Sequence, residues 1–278
     1  MFSITKDYTF IKQLSDNLRR RYERNKRTEN EAVHVSDILP SGCLRKQYYG
    51  RKDRTDDVLS EDTIYHFVRG ESSERIITEL ADMGIAQCKI EHKGIVARPD
   101  ILKKGPEISP ANFLVIELKD NATLGKRLEP DDYTFKSYLN QLLYYLVITD
   151  VENGILCIKY STPELIWYER DSQGVHYLKP SNAKVPGIES WAVYLSTDDP
   201  LREELEQEML QRKDLFLEAL RTSKVEILPR LRGFQKKLKC RRCSFMEKCW
   251  SQDSETVEAM QLADELSIID RITEVYTD

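Results

Sequence analysis

Two short apolar runs, Ile95–Leu102 and Phe113–Leu118, each end in charge, and this narrows the fold of the chain more than any other feature. A polar turn carrying Gly105, Pro106, Pro110 and Asn112 separates them, so the pair reads as one strand handing over to the next. The first run closes on Arg98-Pro99-Asp100 and the second on Glu117-Leu118-Lys119. Side chains at i and i+2 share one face of a strand, so Glu117 and Lys119 point the same way. Asp100 joins them if the two strands are neighbours. That would set two hard carboxylates beside one ammonium. Such oxygens suit Mg2+ or Mn2+, and a lysine nearby can orient or deprotonate a water on the metal. A cation held this way can polarise a phosphodiester and supply the hydroxide that attacks it. A charged strand end is equally what a solvated face looks like, so the two short motifs need support from the rest of the chain.

The composition is that of a soluble globular protein, with 32% charged and 40% hydrophobic residues among 278. No apolar run is long enough to span a membrane, and the first residues lack the apolar stretch of a secretory signal, which implies a cytoplasmic protein with no membrane partner. The net charge of −5 argues against nucleic acid only as a sum. Arg19, Arg20, Arg21, Arg24, Lys26 and Arg27 cluster early, and Arg230, Arg232, Lys236, Lys237, Lys239, Arg241 and Arg242 cluster late, while the tail after Trp250 is acidic. Local basic patches govern phosphate binding more than the total does. The early patch serves equally well as a solvated helix face.

Taken in order, residues 3–27 read as a helix, 28–42 as loop with a short element, and Cys43–Tyr49 as the mouth of a basic, aromatic helix. Residues 61–83 carry a second helix, interrupted by Gly70, which suggests close packing there, and Glu74 on it is a candidate third carboxylate. A strand Ile85–Glu91 leads into the first of the two runs. A polar loop over 121–132 follows them, then a long helix over 133–149, where Gln141 and Tyr145 lie on one face among apolar neighbours. A strand Gly154–Tyr160, a hairpin turning at Ser172–Gly174, a last strand at WAVYL and a charged helix over 201–222 come next. Residues 254–272 make a final acidic helix. Three units are expected: a helical segment 1–60 with one cysteine of interest, a core 61–200, and a helical, cysteine-bearing segment 201–278 that packs with the first.

Six cysteines in such a chain point to metal before disulfides. Cys240-x2-Cys243-x5-Cys249 puts three thiols close together, and Cys43, also flanked by basic and aromatic residues, is the best fourth. Cys88 and Cys157 fall within expected strands, where a lone cysteine acts as a small buried hydrophobe. Four thiolates hold zinc or a [4Fe-4S] cluster, and spacing does not choose between them. Either metal would staple residue 43 to residue 240.

Arg98-Pro99-Asp100, Glu117-Leu118-Lys119 and Gln141-x3-Tyr145, in this order, resemble the RecB-like nucleases of the PD-(D/E)xK superfamily. One cysteine before these motifs and three behind them look like its iron–sulfur branch, and the ending is most similar to the fourth of the numbered CRISPR-associated protein families. The resemblance covers roughly residues 36–250. It implies an α/β (α+β), restriction-endonuclease-like fold: a mixed sheet flanked by helices, with a helical Fe-S subdomain joining the two ends of the chain. It implies a Mg2+- or Mn2+-dependent DNA exonuclease carrying a [4Fe-4S] cluster, acting on single-stranded or frayed DNA ends beside a CRISPR integrase complex to prepare spacers. By resemblance, Asp100 and Glu117 are metal ligands and Lys119 activates or positions water. Gln141 and Tyr145 orient DNA or the active site, and Cys43, Cys240, Cys243 and Cys249 bind the cluster. The chain departs from the pattern at one point. The family has a glycine followed, three residues between, by a metal-binding histidine; here Gly70 is followed by Glu74, and His66 precedes the glycine. A glutamate there is sound chemistry for Mg2+. Other readings stay open: a repair or replication nuclease unconnected with CRISPR, an inactive fold that binds DNA ends for a larger complex, and zinc in place of iron.

Overall fold

A computed structural model describes residues 8–24, 27–28, 30–53, 60–81, 84–104, 113–121, 127–160, 166–170, 176–180, 187–252 and 254–264. Its elements in chain order are α1 (Tyr8–Arg24), β1 (Val33–His34), α2 (Val35–Ile38), α3 (Leu44–Lys52), α4 (Glu61–Ala81), β2 (Ile85–Ala86), β3 (Ile90–His92), β4 (Ile95–Ala97), β5 (Ile101–Lys104), β6 (Phe113–Asn121), α5 (Tyr133–Thr149), β7 (Asn153–Tyr160), β8 (Ile166–Arg170), β9 (His176–Pro180), β10 (Ile188–Tyr194), α6 (Pro200–Thr222), α7 (Gly233–Lys239) and α8 (Val257–Asp264). Short 3-10 turns lie at Val225–Ile227 and Cys240–Arg242, and a π turn at Lys248–Gln252.

The main sheet has the order β10-β7-β6-β5-β2. Strands β6 and β7 run parallel and the other pairs antiparallel, so the sheet is mixed and flanked by helices, as expected. A parallel pair needs a crossover, and α5 is that crossover, packed back on both strands. Its long apolar stretch makes this work: Leu142, Leu143, Tyr144, Tyr145 and Leu146 are all buried. Along β7 the exposure alternates, with Gly154, Leu156, Ile158 and Tyr160 inward, the period of a half-covered strand. At Gly154 an added Cβ would stand 3.1 Å from Leu142 Cδ1, so glycine lets the helix approach the sheet.

The run expected as a single strand, Ile95–Leu102, is two strands in two sheets. Strand β4 pairs with β1 in parallel and with β3 antiparallel, whereas β5 pairs with β6 and β2. Pro99 explains the break: without an N–H it cannot continue a ladder, and the chain crosses between sheets at that point. The strand expected over Ile85–Glu91 is likewise split into β2 and β3 by Gln87, whose backbone is left-handed at φ 51. Cys88 therefore lies in a loop and not in a strand. Strand β1, in the stretch read as loop, pairs through only two residues and leaves no periodic trace. The hairpin over 166–180 forms as β8 and β9, with its turn at Ser172–Gly174 outside the described residues. The described part of the final helix is α8, and 265–272 lie outside.

Both ends of the chain meet around α6. Helices α2 and α3 pack on it, and Arg212 donates to Ile38 O (2.5 Å) and Leu39 O (3.0 Å) at the end of α2. Arg202, almost fully buried, donates to Ser196 O, Leu146 O, Val151 O and Leu195 O. Two of these carbonyls lie at the C-terminal end of α5, where a cation is favoured. Among the described residues no helix is long and apolar enough to cross a membrane.

Candidate active site

The register of β5 on β6 pairs Ile101 with Ile116; one residue further it sets Asp100 opposite Glu117. Asp100 stands just past the Pro99 break, and its Oδ2 accepts from Leu118 N at 2.7 Å, which pins the carboxylate to the neighbouring strand. Glu117 and Lys119 share a face of β6, as their spacing requires, and Lys119 Nζ is ion-paired with Glu117 Oε1. The same Nζ donates to Gln141 Oε1 at 2.9 Å, and Gln141 Nε2 donates to Tyr145 OH at 3.0 Å. Gln141 and Tyr145 lie one turn apart on α5, on the face turned to β6. Five of the side chains singled out in the sequence thus form one connected group. Nζ also lies 5.4 Å from the centroid of the Tyr138 ring, a cation–π contact the spacing did not suggest.

Glu74 reaches the group from α4 by way of Gln87. The Gln87 amide donates to Glu74 Oε1 at 2.5 Å and to Asp100 Oδ1 at 2.9 Å, bridging the two carboxylates. Gln87 was not legible in the sequence, because its position depends on the left-handed break between β2 and β3. Gly70, expected to permit close packing, does not serve that purpose: an added Cβ there would meet nothing within 4 Å. It lines a cavity of about 200 Å³ between α4 and β6, together with Glu74, Lys119, His66, Arg69, Ser73 and Lys159. Lys159 Nζ donates to Ser73 Oγ at 2.9 Å, and Arg69 Nε pairs with Asp120 Oδ2 at 2.7 Å on the other face of β6. Arg69 and Lys159 carried no motif in the sequence.

The electrostatics follow from three carboxylates set against one ammonium. Glu117 is 1% exposed. Burial, with the charges of Asp100 and Glu74, outweighs the pull of Lys119 and pushes its carboxyl up to about 8. Burial also raises Asp100 against the opposing Lys119 charge and the Leu118 N–H, and raises Glu74 together with the charge of Asp100. For Lys119, burial works against the ammonium, but Glu117 and Asp100 outweigh it and the pKa rises, so it stays charged. Burial raises Tyr145, which remains a neutral phenol. With every acid ionised the group would carry two excess negative charges, the charge a divalent cation supplies. Glu117 Oε2 is buried with no hydrogen-bond partner, a position open to the proton that Glu117 holds or to a cation. The donor set therefore fits Mg2+ or Mn2+. Among the described residues, however, no three His, Cys, Asp or Glu side chains are gathered at metal-binding distance. The bonds already made by Gln87, Leu118 and Lys119 account for this at the carboxylates.

The four cysteines come from both ends of the chain. Cys43 caps the start of α3, Cys240 opens the 3-10 turn after α7, Cys243 follows it, and Cys249 lies in the π turn. All four are free thiols. Cys43 is pushed up to about 11 by burial and then by the charges of Cys249, Cys243 and Cys240, so the four lie near enough to act on one another. Burial also raises Cys249, while Arg45 and Arg230 pull it down. The four thiols lie in a basic setting and influence one another's ionisation, but among the described residues they are not gathered as a metal-binding group. Cys88 and Cys157 take no part in this group; Cys157 is raised by burial alone.

Of the basic clusters, the early one is largely engaged within the fold: Arg21 pairs with Glu71 and Arg27 with Asp37. In the late one, Lys236 stands 3.4 Å over the Trp250 ring centroid, with Lys237 and Arg241 exposed beside it.

No family model matches the chain, and no curated protein is similar to it. Among solved structures, it is similar to SSO0001, at 14% identity and a TM-score of 0.46, covering 85% of this chain and 94% of that one. It is similar to an alkaline exonuclease (LHK-Exo) from Laribacter hongkongensis, at 16% identity and TM-score 0.41, over 73% of this chain and 97% of that one. A phage-related exonuclease from Haemophilus somnus 129PT aligns at 12% identity and TM-score 0.35, over 69% and 96%. At these scores the likenesses carry no weight for function.

Proposed function

We propose that the chain is a divalent-metal-dependent deoxyribonuclease that hydrolyses phosphodiester bonds at DNA ends. The observation that carries this reading is the Lys119 ammonium, held between Glu117 and Gln141 with Asp100 set opposite Glu117 and one Glu117 oxygen left without a partner. A bound Mg2+ or Mn2+ would supply Lewis-acid polarisation of the phosphate. Asp100 and Glu117 would hold it, with Glu74 reaching the same place once Gln87 lets go. Lys119 places the attacking water and meets the negative charge that grows on the phosphate oxygens. Gln141 fixes the direction of Nζ, and Tyr145 fixes Gln141. The water oxygen bonds to phosphorus and gives up one proton, the ester P–O bond breaks, and the departing oxygen takes one proton, so that one water is added across the bond and the charged Lys119 positions without acting as the base. Arg69, Lys119 and Lys159 set three cations in the adjoining cavity against the carboxylates of Glu74 and Asp120, with Asp120 paired to both Arg69 and Lys159.

Within that class, the motif order and the four thiols support an exonuclease with a [4Fe-4S] cluster on Cys43, Cys240, Cys243 and Cys249, trimming fragments for CRISPR spacer acquisition beside an integrase complex. Cleavage of end-labelled single-stranded DNA, with Mg2+, with Mn2+ and with chelator, tests the enzymatic reading. Metal-dependent loss of label is expected in the wild type, with a fall of at least about 100-fold in Lys119→Ala and Glu117→Ala. Undiminished cleavage by either variant would remove that residue from the mechanism, and tight DNA binding without cleavage would make the chain a binding subunit.

A further inference from the structure

The late basic cluster takes no part in the reaction described above. Residues 230–250 carry eight Lys or Arg against one acid, Glu247, in a chain whose net charge is −5. Some of these cations are balanced within the fold: Glu255 pairs with Arg232 at 3.0 Å and Asp53 with Lys248 at 2.7 Å. Lys236, Lys237 and Arg241 are not. They are exposed on α7 and the 3-10 turn after it, and among the described residues no carboxylate pairs with any of them. Lys236 Nζ stands 3.4 Å over the Trp250 ring centroid, and the Arg230 guanidinium carbon lies 5.0 Å from the same centroid. One half-buried indole thus holds two cations in place. None of these residues lines the cavity beside Lys119, so the face is distinct from the group around Asp100 and Glu117.

Like charges gathered on one surface repel, and an arriving polyanion turns that repulsion into attraction. Each phosphate that meets a Lys or Arg also releases a condensed counterion. Cations set about an aromatic ring are the composition of a surface that follows a nucleic-acid backbone and offers a ring to its bases. We infer that the face formed by Lys236, Lys237 and Arg241 around Trp250 is a phosphate-binding surface that holds a DNA strand outside the active-site cavity. The inference rests on the nuclease reading only for the identity of the polyanion; it requires no metal and no contact with the reacting groups.

The test is binding of a fluorescently labelled single-stranded oligonucleotide to the full chain, in chelator so that metal-dependent cleavage does not intervene. Anisotropy is followed over a range of salt concentrations for wild type and for the triple variant Lys236→Gln, Lys237→Gln, Arg241→Gln. Each phosphate contact to a single strand contributes about 0.7 to the slope of log affinity against log salt, so three lost contacts should lower it by about 2. Affinity at low salt should fall at least about tenfold, alike for oligonucleotides of different sequence. An unchanged slope overturns the inference, whether or not wild type cleaves DNA, and so does a wild type that binds no oligonucleotide at low salt. A slope lowered as expected, in a chain that cleaves no DNA with Mg2+ or Mn2+, upholds the surface and removes the nuclease reading instead. Labelled poly-glutamate is the second probe. If the variant loses affinity for it and keeps its affinity for DNA, the face belongs to an acidic protein partner and the inference falls. Should the triple variant not fold, Lys237→Gln with Arg241→Gln leaves Lys236 on Trp250 and carries the same test: a slope lower by about 1.4 supports the inference, and an unchanged one overturns it.

Discussion

The buried Glu117 carboxyl makes the metal-free chain sensitive to pH in a direction that can be worked out. Its pKa is about 8 when folded against an ordinary value of 4.5. The folded chain therefore holds a proton that the unfolded chain has already lost, and stability falls as pH rises. The contribution is fully present below about 4.5 and gone above about 8. Between about pH 6 and pH 8 the loss from this one group comes to about 2 kcal/mol. Asp100 and Glu74, both raised, act in the same direction. His34, lowered to about 4, acts the opposite way, gaining stability as pH rises towards its ordinary value of 6.5. In the comparison with Glu117→Gln, His34 lies elsewhere and cancels, so the difference reports Glu117 together with its coupling to Asp100 and Glu74. The assay is urea unfolding in the presence of chelator, for both chains, at the two pH values. Wild type should lose about 2 kcal/mol more than Glu117→Gln on going to the higher pH, whatever the absolute offset between them. Saturating Mg2+ should reverse the wild-type slope, since binding requires the carboxylates ionised. Parallel pH dependences in the two metal-free chains would refute the reading of Glu117 as the acid that keeps its proton.

Tyr145→Phe removes the acceptor of the Gln141 amide; about 1 kcal/mol of stability should be lost by denaturant unfolding, with cleavage reduced but not abolished, since Lys119 keeps its Glu117 partner. Gln87→Ala takes away the donor that lowers both Glu74 and Asp100, so their carboxyl carbons, followed by NMR in the metal-free chain, should titrate at higher pH than in wild type. Arg202→Met takes a side-chain donor from four carbonyls around the end of α5, of which Leu146 O and Ser196 O keep a backbone N–H, and should cost roughly 3 kcal/mol by urea unfolding at neutral pH.

Legibility in the sequence followed the range of the interactions. The pairing of Glu117 with Lys119 needs only the period of a strand, and that of Gln141 with Tyr145 only the period of a helix, so both were readable. The approach of Asp100 to Glu117 needed one further assumption, that the two charged runs pair, and the register of β5 on β6 meets it. Glu74 was readable as a carboxylate on a helix, but its link to Asp100 passes through Gln87, which no period or motif marks. Arg69 and Lys159 were hidden for a similar reason. Each is one basic residue among many, and what singles it out is the cavity it lines.

Pro99 shows how a residue with no chemistry of its own sets up the site. Had the ladder run unbroken from Ile95 to Leu102, Asp100 would have spent its backbone on strand pairing, and its side chain would have followed the alternation of that strand. The missing N–H ends β4 at Ala97, the chain crosses to the other sheet, and pairing resumes only at Ile101. In the gap, the Asp100 carbonyl accepts from Gln87 N at 3.1 Å, while its carboxylate turns to the Leu118 N–H and the Gln87 amide. One break in a strand thus gives Asp100 a fixed carboxylate and brings Gln87, and through it Glu74, to the same place. The clustering of three acids is a consequence of where the backbone cannot hydrogen-bond. It also explains why the three acids gather at the junction of the two sheets, beside the strand that presents Lys119.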